Sequence, residues 1–558
     1  MPTLSARRLR DFIAGQEPAR WLSWLGWALF AAAAAISILD VDSGPANPLV
    51  HPEALYPAAL FQDLGQWATW NTPFSPYFFP DLPLFFFAMW LTGDAVSSLY
   101  VFAILQVALL IFGLRWLFRC ILFSDEAARR LAGRLVVITG AGLMLTLGLD
   151  FAGGKLFLPL FLSAFHTGAL VTATFGHAML IRLLGGHRQV AKTRLLTVSL
   201  LVITFLGVLS DQLFFVLFVL PAGAAILFQA WTGKPQPARA VAVATILAGA
   251  LLAVAAVAWI NATGTLHIPS LTPVSLAQVA ETLSELPRLV DGVLVFVIDR
   301  FFESARAAYR WFWFLWVVVT LLLIFASRRW LARLPGFRHL RRLSTASRRN
   351  LAFFAVFTTF CGIATILATV YVAVGQYGVK TGVYGILFVH RYLTSVFVLP
   401  VVCLALYAPA LMTRRQARVL ESALLMLLFS AGAFRASDPD LGSPFPRYRH
   451  PGAACLDEAA ARHGSRLGLA FSFQAPLVNA LSKSGLHADQ LTRDFEPTTW
   501  IDNRIRAGDT AGYGFVITDS LRPGAVIERA GPPTSEVQCD GWQVFFYDEP
   551  IRIILDRR

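Results

Sequence analysis

The sequence predicts a polytopic α-helical membrane protein that ends in a small soluble α/β domain. Three observations lead there. Apolar runs long enough to cross a bilayer recur about eleven times over residues 1–436. Lys and Arg crowd into alternate connections between those runs and are scarce in the others, as expected when basic connections stay on the cytoplasmic side. From residue 437 to 558 the long apolar runs stop and the composition becomes that of a soluble domain. Bulk composition agrees: 56% of the 558 residues are hydrophobic and the mean hydropathy is +0.60, against roughly 45–50% apolar residues in soluble domains. The net charge of +13 would suggest nucleic acid for a soluble chain, but these basic residues sit in short membrane connections, which argues against a nucleic-acid partner.

The first run, Trp21–Leu39, follows Arg7, Arg8, Arg10 and Arg20. It is longer than a secretory signal core and no small-residue cleavage site follows, so it reads as a retained first helix. Later runs centre on Leu99–Phe118, Leu131–Leu149, Thr167–Leu184, Leu195–Leu209, Leu213–Ala230, Ala240–Ile260, Trp311–Ala326, Leu351–Val374, Thr394–Leu411 and Val419–Phe434. With the N-terminus inside, the inner connections hold Arg115, Arg119, Arg129, Arg130 and Arg134, then Arg182, Arg188, Lys192 and Arg194. Lys234, Arg239, the Arg-rich stretch 328–349, and Arg414, Arg415 and Arg418 continue the series. One orientation, N-terminus in and C-terminus out, satisfies all of them.

The first outer loop, 40–98, contains no Lys or Arg and carries Asp40, Asp42, Glu53, Asp63, Asp81 and Asp94. Within it Pro83–Leu91 is apolar but too short to span, which predicts a helix lying in the interface with Trp90 at headgroup depth. Asn261–Arg310 predicts further helices across the same face. In the C-terminal region, Cys455–His463 and Gln474–Leu481 read as helices, and Arg466–Phe473, Gly514–Thr518 and Trp542–Tyr547 as strands. That region has no zinc spacing, phosphate-binding Gly loop or nucleophile elbow. Cys120, Cys361 and Cys403 lie in or beside apolar runs and read as core. An extracytoplasmic location would let Cys455 and Cys539 pair, closing a loop of about 84 residues for roughly 4–5 kcal/mol.

Asp40, Asp150, Asp211, Lys380 and Arg391 all fall at outer ends of expected spans. Singly, each reads as an interfacial charge reaching water; together they favour one face. A transporter would place charges near the midplane and show related halves, and neither is visible.

The stretches HPEALYPAALFQDLGQW (His51–Trp67) and FPDLPLFF (Phe79–Phe86), followed by an amphipathic helix, resemble the first outer loop of GT-C glycosyltransferases. The similarity is to the branch containing protein mannosyltransferases and aminoarabinose transferases. Glu53-Ala54-Leu55-Tyr56 stands in the place of that family's acidic-acidic-Ala-x-Tyr motif, and Asp81-Leu82-Pro83-Leu84 in that of its basic-Pro-Pro-Leu-Tyr motif. Pro52 replaces the first acidic residue and Leu82 the basic one. His390-Arg391-Tyr392 is similar to the Arg-Tyr that precedes a late helix in the family.

The resemblance implies an inverting transfer of sugar from a polyprenyl-phosphate donor in the membrane lipid to an acceptor glycan, lipid or protein on the outer face. A phosphate leaving group needs no strong acid; the reaction needs a base at the acceptor hydroxyl and a cation at the phosphate. Asp40 is the first choice of base, followed by Asp42 and Glu53; Arg391, assisted by Lys380 and His390, suits the phosphate. Tyr56, Asp81 and Trp67 are candidate substrate contacts. A divalent cation stays open, since some branches use one. The expected location is a bacterial cytoplasmic (inner) membrane, with the C-terminal domain periplasmic. The competing reading is a non-enzymatic lipid or polysaccharide transporter, or an assembly protein, on a GT-C-derived scaffold. Plainer roles also stand: Asp81 as an N-cap of the interfacial helix, Glu53 and Asp63 on a solvated helix face, and Trp67 as an interfacial aromatic.

Overall fold

The computed structural model describes residues 52–65, 70–145, 150–151, 154–155, 163–185, 190–232, 237–264, 266–269, 343–377, 450–496, 498 and 512–552, with isolated positions between 398 and 422. The first loop forms α1 (Pro52–Gln62) and α2 (Asp81–Thr92). The membrane body follows as α3 (Ala95–Ile121), α4 (Glu126–Leu145), α5 (Thr167–Leu184), α6 (Val190–Ser210), α7 (Leu220–Thr232), α8 (Pro237–Thr263) and α9 (Thr345–Tyr377). Among the described residues, five helices are long and apolar enough to cross a membrane: α3, α5, α6, α8 and α9. Of the six other expected spans, Leu213–Ala230 is described and forms the shorter apolar helix Phe215–Trp231, while the other five, Trp21–Leu39 and Trp311–Ala326 among them, include residues outside those described.

Local chemistry sets the boundaries. Gly93 closes α2 in the left-handed region (φ 67°), returning its N–H to the Met89 carbonyl. Asp94 then caps α3, its carboxylate accepting from the Ser97 N–H at 2.9 Å. A π-helical turn, Phe215–Val219, leads into α7. In the body α3 packs on α5, α5 on α6, α6 on α8, and α7 on α9. The α6–α8 contact depends on Gly249, where a Cβ would stand 2.9 Å from the Leu201 carbonyl oxygen. A small residue there lets two backbones approach, as membrane helices require. Phe118, Phe214, Phe218 and Phe354 lie in the main buried cluster, and the three free cysteines, Cys120, Cys361 and Cys403, are buried.

Because successive helices reverse direction, the two ends of the body differ in charge. One end holds Arg115 and Arg119 near the close of α3, Arg129, Arg130 and Arg134 at the start of α4, Arg182 on α5, and Lys192 and Arg194 on α6. There Ser344, just before α9, donates its N–H to Asp125 at 3.2 Å. The other end carries the first loop: Tyr77 N–H donates to the Ser210 carbonyl at 2.9 Å and Thr72 N–H to the His267 carbonyl at 3.0 Å.

The C-terminal residues form α10 (Pro451–Arg462), β1 (Leu467–Phe471), α11 (Ala475–Leu481), β2 (His487–Leu491), β3 (Gly512–Ile517), α12 (Pro523–Ala530), β4 (Ser535–Cys539) and β5 (Trp542–Arg552). One five-stranded sheet results, ordered β2-β1-β3-β5-β4. β2, β1 and β3 run parallel, while β5 is antiparallel to both β3 and β4. β2, β4 and α12 are additions to the elements read from sequence. A disulfide joins Cys455 on α10 to Cys539 on β4. The domain boundary expected at 437 lies outside the described residues.

Candidate functional site

The stretch Trp70–Pro80 contains Pro73, Pro76 and Pro80, which cannot donate backbone hydrogen bonds, and it crosses the body as an irregular strap rather than a helix. Several of its backbone groups pair with the body: besides Tyr77 and Thr72, Phe79 N–H donates to Ser210 Oγ at 2.8 Å and His267 N–H to the Trp70 carbonyl at 3.2 Å. The strap thus lies over the ends of α6 and α8 and against the start of α5.

Under it lies a buried polar cluster. Asp211, immediately after α6, has 1% exposure. Its Oδ1 accepts from Ser75 Oγ and from the Leu213 N–H, both at 2.9 Å, and its Oδ2 lies 2.8 Å from His166 Nδ1. A carboxylate only accepts, so the pairing assigns the proton to Nδ1; His166 Nε2 is then an acceptor for the Tyr77 hydroxyl at 3.3 Å. Sequence separations of 45 and 89 residues are closed by these two contacts. Both Tyr77 (φ 57°) and His166 (φ 66°) hold left-handed backbone conformations. For side chains other than glycine such conformations cost on the order of 1–3 kcal/mol and concentrate at functional sites.

Asp81 opens α2 and is 1% exposed. The N-cap of α2 is Pro80, with no side-chain cap bond, so the expected capping role of Asp81 is overturned. The carboxyl turns instead onto the start of α5, where a Cβ on Gly168 would overlap Asp81 Oδ2. Its Oδ1 is buried with no hydrogen-bond partner. Burial, and then the Asp211 carboxylate, push the Asp81 acid well above the ordinary carboxylate range. The cluster therefore combines a carboxyl whose acidity burial weakens with an imidazole braced by a carboxylate.

Tyr56 on α1 is fully buried in an aromatic pocket with Trp70, Tyr77 and Leu82, its ring centroid 6.2 Å from that of Trp70. The Tyr56 hydroxyl and Trp70 Nε1 are both buried without hydrogen-bond partners, and burial raises the Tyr56 phenol. Glu53 and Asp63 are buried rather than on a solvated face, because α1 is covered by α2, α3 and α11. Asp211 likewise does not reach water, since its partners lie inside the protein. The structure thus places Glu53, Tyr56 and Asp81 in the folded first loop. Asp40, Asp42, Trp67, Lys380, His390 and Arg391 lie outside the described residues. His166 was not singled out from sequence; its one signal is a lone imidazole directly before an apolar helix. Among the described residues, no three His, Cys, Asp or Glu side chains are grouped to hold a metal ion.

No protein-family model and no curated protein matches the chain. Among solved structures, it is similar to the Archaeoglobus fulgidus oligosaccharyltransferase in complex with Zn and sulfate, at 13% identity and TM-score 0.41, over 88% of this chain and 68% of that one. It is similar to Archaeoglobus fulgidus AglB in complex with an inhibitory peptide and a dolichol-phosphate, at 13% identity and TM-score 0.39, over 89% and 69%. A third likeness is to ArnT from Cupriavidus metallidurans bound to undecaprenyl phosphate, at 14% identity and TM-score 0.37, over 94% and 97%. With these scores below 0.5, the functional reading rests on the residues themselves.

Proposed function

We propose that this chain is a membrane glycosyltransferase that moves a sugar from a polyprenyl-phosphate donor to an acceptor hydroxyl, with inversion, at the membrane face carrying the first loop. The observation that supports it most is the placing of Asp81: a buried acid with an unpartnered oxygen, pressed on the start of α5 beside the His166–Asp211 pair. It lies at the end of the body opposite the Arg-rich turns, where the positive-inside bias locates the outer face. Polar groups are put in such low-dielectric surroundings at a cost in stability, and proton transfer is the use that repays it.

In this reading residues 1–436 form the transferase body and 437–558 an extracytoplasmic domain, in a bacterial inner membrane. Asp40, Asp42 and Glu53 remain the candidates for the base. Arg391, with Lys380 and His390, is assigned to the donor phosphate, and Tyr56, Asp81 and Trp67 to the substrate. His166, oriented by Asp211, joins them as a proton-transfer group.

The test is transfer from radiolabelled polyprenyl-phosphate sugars in purified membranes, comparing wild type with Asp40→Asn and Asp42→Asn. Loss by about 10²–10⁴-fold in either folded variant is the expected result for removing a base. The mutual satisfaction of Ser75, Asp211, His166 and Tyr77 favours a second reading, in which the cluster only braces a transporter or assembly scaffold. Absence of transfer by the wild type across a broad donor panel would decide for that.

A further inference from the structure

We propose that α11 is a strut through which the C-terminal domain positions the first loop, with Ala480 and Lys483 as its positioning residues. Its catalytic half rests on the proposed function; its structural half does not.

α11 is shared between two cores. Val478 lies in the core of the C-terminal sheet domain, and Asn479 stitches the helix to β2, donating to the Ala488 carbonyl at 3.2 Å and accepting from the Ala488 N–H at 2.8 Å. Ala480 faces the other way. It is buried with Leu55 and Ala58 of α1, Phe85 and Ala88 of α2, and Leu99 and Phe102 of α3. Leu477 and Leu481 pack against both clusters. A seven-residue helix is too short to be stable alone. It is held by its domain and delivers that domain's rigidity, including the Cys455–Cys539 crosslink, to the loop.

The end of the strut is aimed with equal care. Asp457 on α10 accepts from Ser482 Oγ at 2.6 Å, Lys483 N–H at 2.8 Å and Ser484 Oγ at 2.6 Å, which fixes the turn after α11. That turn points the Lys483 ammonium at Asp94, the cap of α3, with which it forms an ion pair. The pair is partly exposed, so its own stabilisation is small; its value is in setting where the strut lands. Beside it a cleft of about 360 Å³, lined by Asp94, His450, Asp457, Glu458 and Lys483 among others, separates the domain from the body. Among the described residues, α11 is the element of the domain that packs on α1 and α3. Since α1 carries Glu53 and Tyr56, and α2 carries Asp81, a displaced strut loosens all three.

The experiment is amide hydrogen exchange on the full chain, with transfer assayed in parallel. Ala480→Arg puts a charge on the body-facing side of α11 while leaving the sheet core intact. The expected result is exchange about tenfold faster or more in residues 52–62 and 81–92, with strands 467–471 and 512–517 unchanged. Turnover should fall by a similar factor while the donor KM holds. Lys483→Glu, on an exposed side chain and opposed to Asp94, should act in the same direction, and Lys483→Arg should behave as wild type. Ile527→Arg, on the exposed face of α12, is the control expected to change nothing. Unchanged exchange over 52–62 and 81–92 in both Ala480→Arg and Lys483→Glu overturns the strut. A wild type without transfer sinks the proposed function alone, because the exchange measurement still decides the strut.

Discussion

Two His–Asp–Tyr groupings occur among the described residues, and they are wired differently. In the C-terminal sheet, His487 Nε2 lies 3.0 Å from Asp489 Oδ1, and the Tyr513 hydroxyl donates to Asp489 Oδ2 at 2.7 Å. The histidine and aspartate are two apart on β2, so the strand pleat puts them on one face without further cost. In the membrane body, the tyrosine contacts the imidazole instead, and His166, Asp211 and Tyr77 come from three distant segments. That grouping alone sits on left-handed backbone at two of its members and beside a second carboxyl, Asp81, whose pKa burial raises well above the ordinary range. The same three residue types are thus a local by-product in one region and a costly long-range assembly in the other. Cost of this kind separates a chemical site from an ordinary satisfied core histidine.

Substitution of the two histidines tests this contrast with the largest expected effect. On the proposed function, His166→Ala lowers transfer by about 10²-fold or more, as for loss of a proton-transfer group. His487→Ala leaves turnover per folded molecule unchanged and costs about 1–3 kcal/mol in chemical denaturation, as for stranding a buried acceptor. Equal losses of transfer from both would erase the distinction.

A smaller effect concerns the seat of Asp81. Gly168→Ala forces the acid off the start of α5 and should destabilise by about 1–3 kcal/mol, the range for overpacking. Gly223→Ala, in α7 with open space around the new methyl group, should instead stabilise by about 0.5–1 kcal/mol through helix propensity. Thermal melts of the two alanine variants read the difference directly, and a harmless Gly168→Ala would deny that the seat is tight.

The smallest effect is a slope. Asp81 binds its proton more tightly folded than unfolded. Its contribution is therefore fully present below the ordinary value of 3.8 and is lost as pH rises through the elevated folded value. Asp81→Asn, which keeps the shape without the titration, should flatten the decline of melting temperature with pH above about pH 4. Parallel profiles for variant and wild type would remove Asp81 from the account.

Much of the body was legible because long apolar runs announce themselves: α5 occupies Thr167–Leu184, the run read from sequence. The helix expected at Pro83–Leu91 was legible from its apolar run and appears as Asp81–Thr92. In the C-terminal domain, β2 (HADQL) and β4 (SEVQC) were not, since each is short and mixed in polarity, and their pairing partners supply what local pattern lacks. The buried cluster was hardest. Asp211 was noticed as a charge at a helix end, but its partners are set by how α5, α6 and the strap converge, which no periodicity records. Glu53 and Asp63 read as solvated because a helical pattern does not reveal which elements pack on α1, among them α11, more than four hundred residues downstream in the sequence.

α2 has one further consequence, a mechanical one. Asp81 stands at its first position, while Phe87, Trp90 and Leu91 project from its far half, Trp90 with 75% exposure. At 1.5 Å per residue the helix is a rod of about 18 Å, with an acid at one end and an exposed aromatic near the other. Were Trp90 to settle among lipid headgroups, as the sequence predicts, its depth would bear on the tilt of the rod and on the height of the acid above the hydrocarbon. A membrane of different thickness, or a detergent belt in its place, would act on the site as a hand acts on a lever, without touching any residue in the cluster.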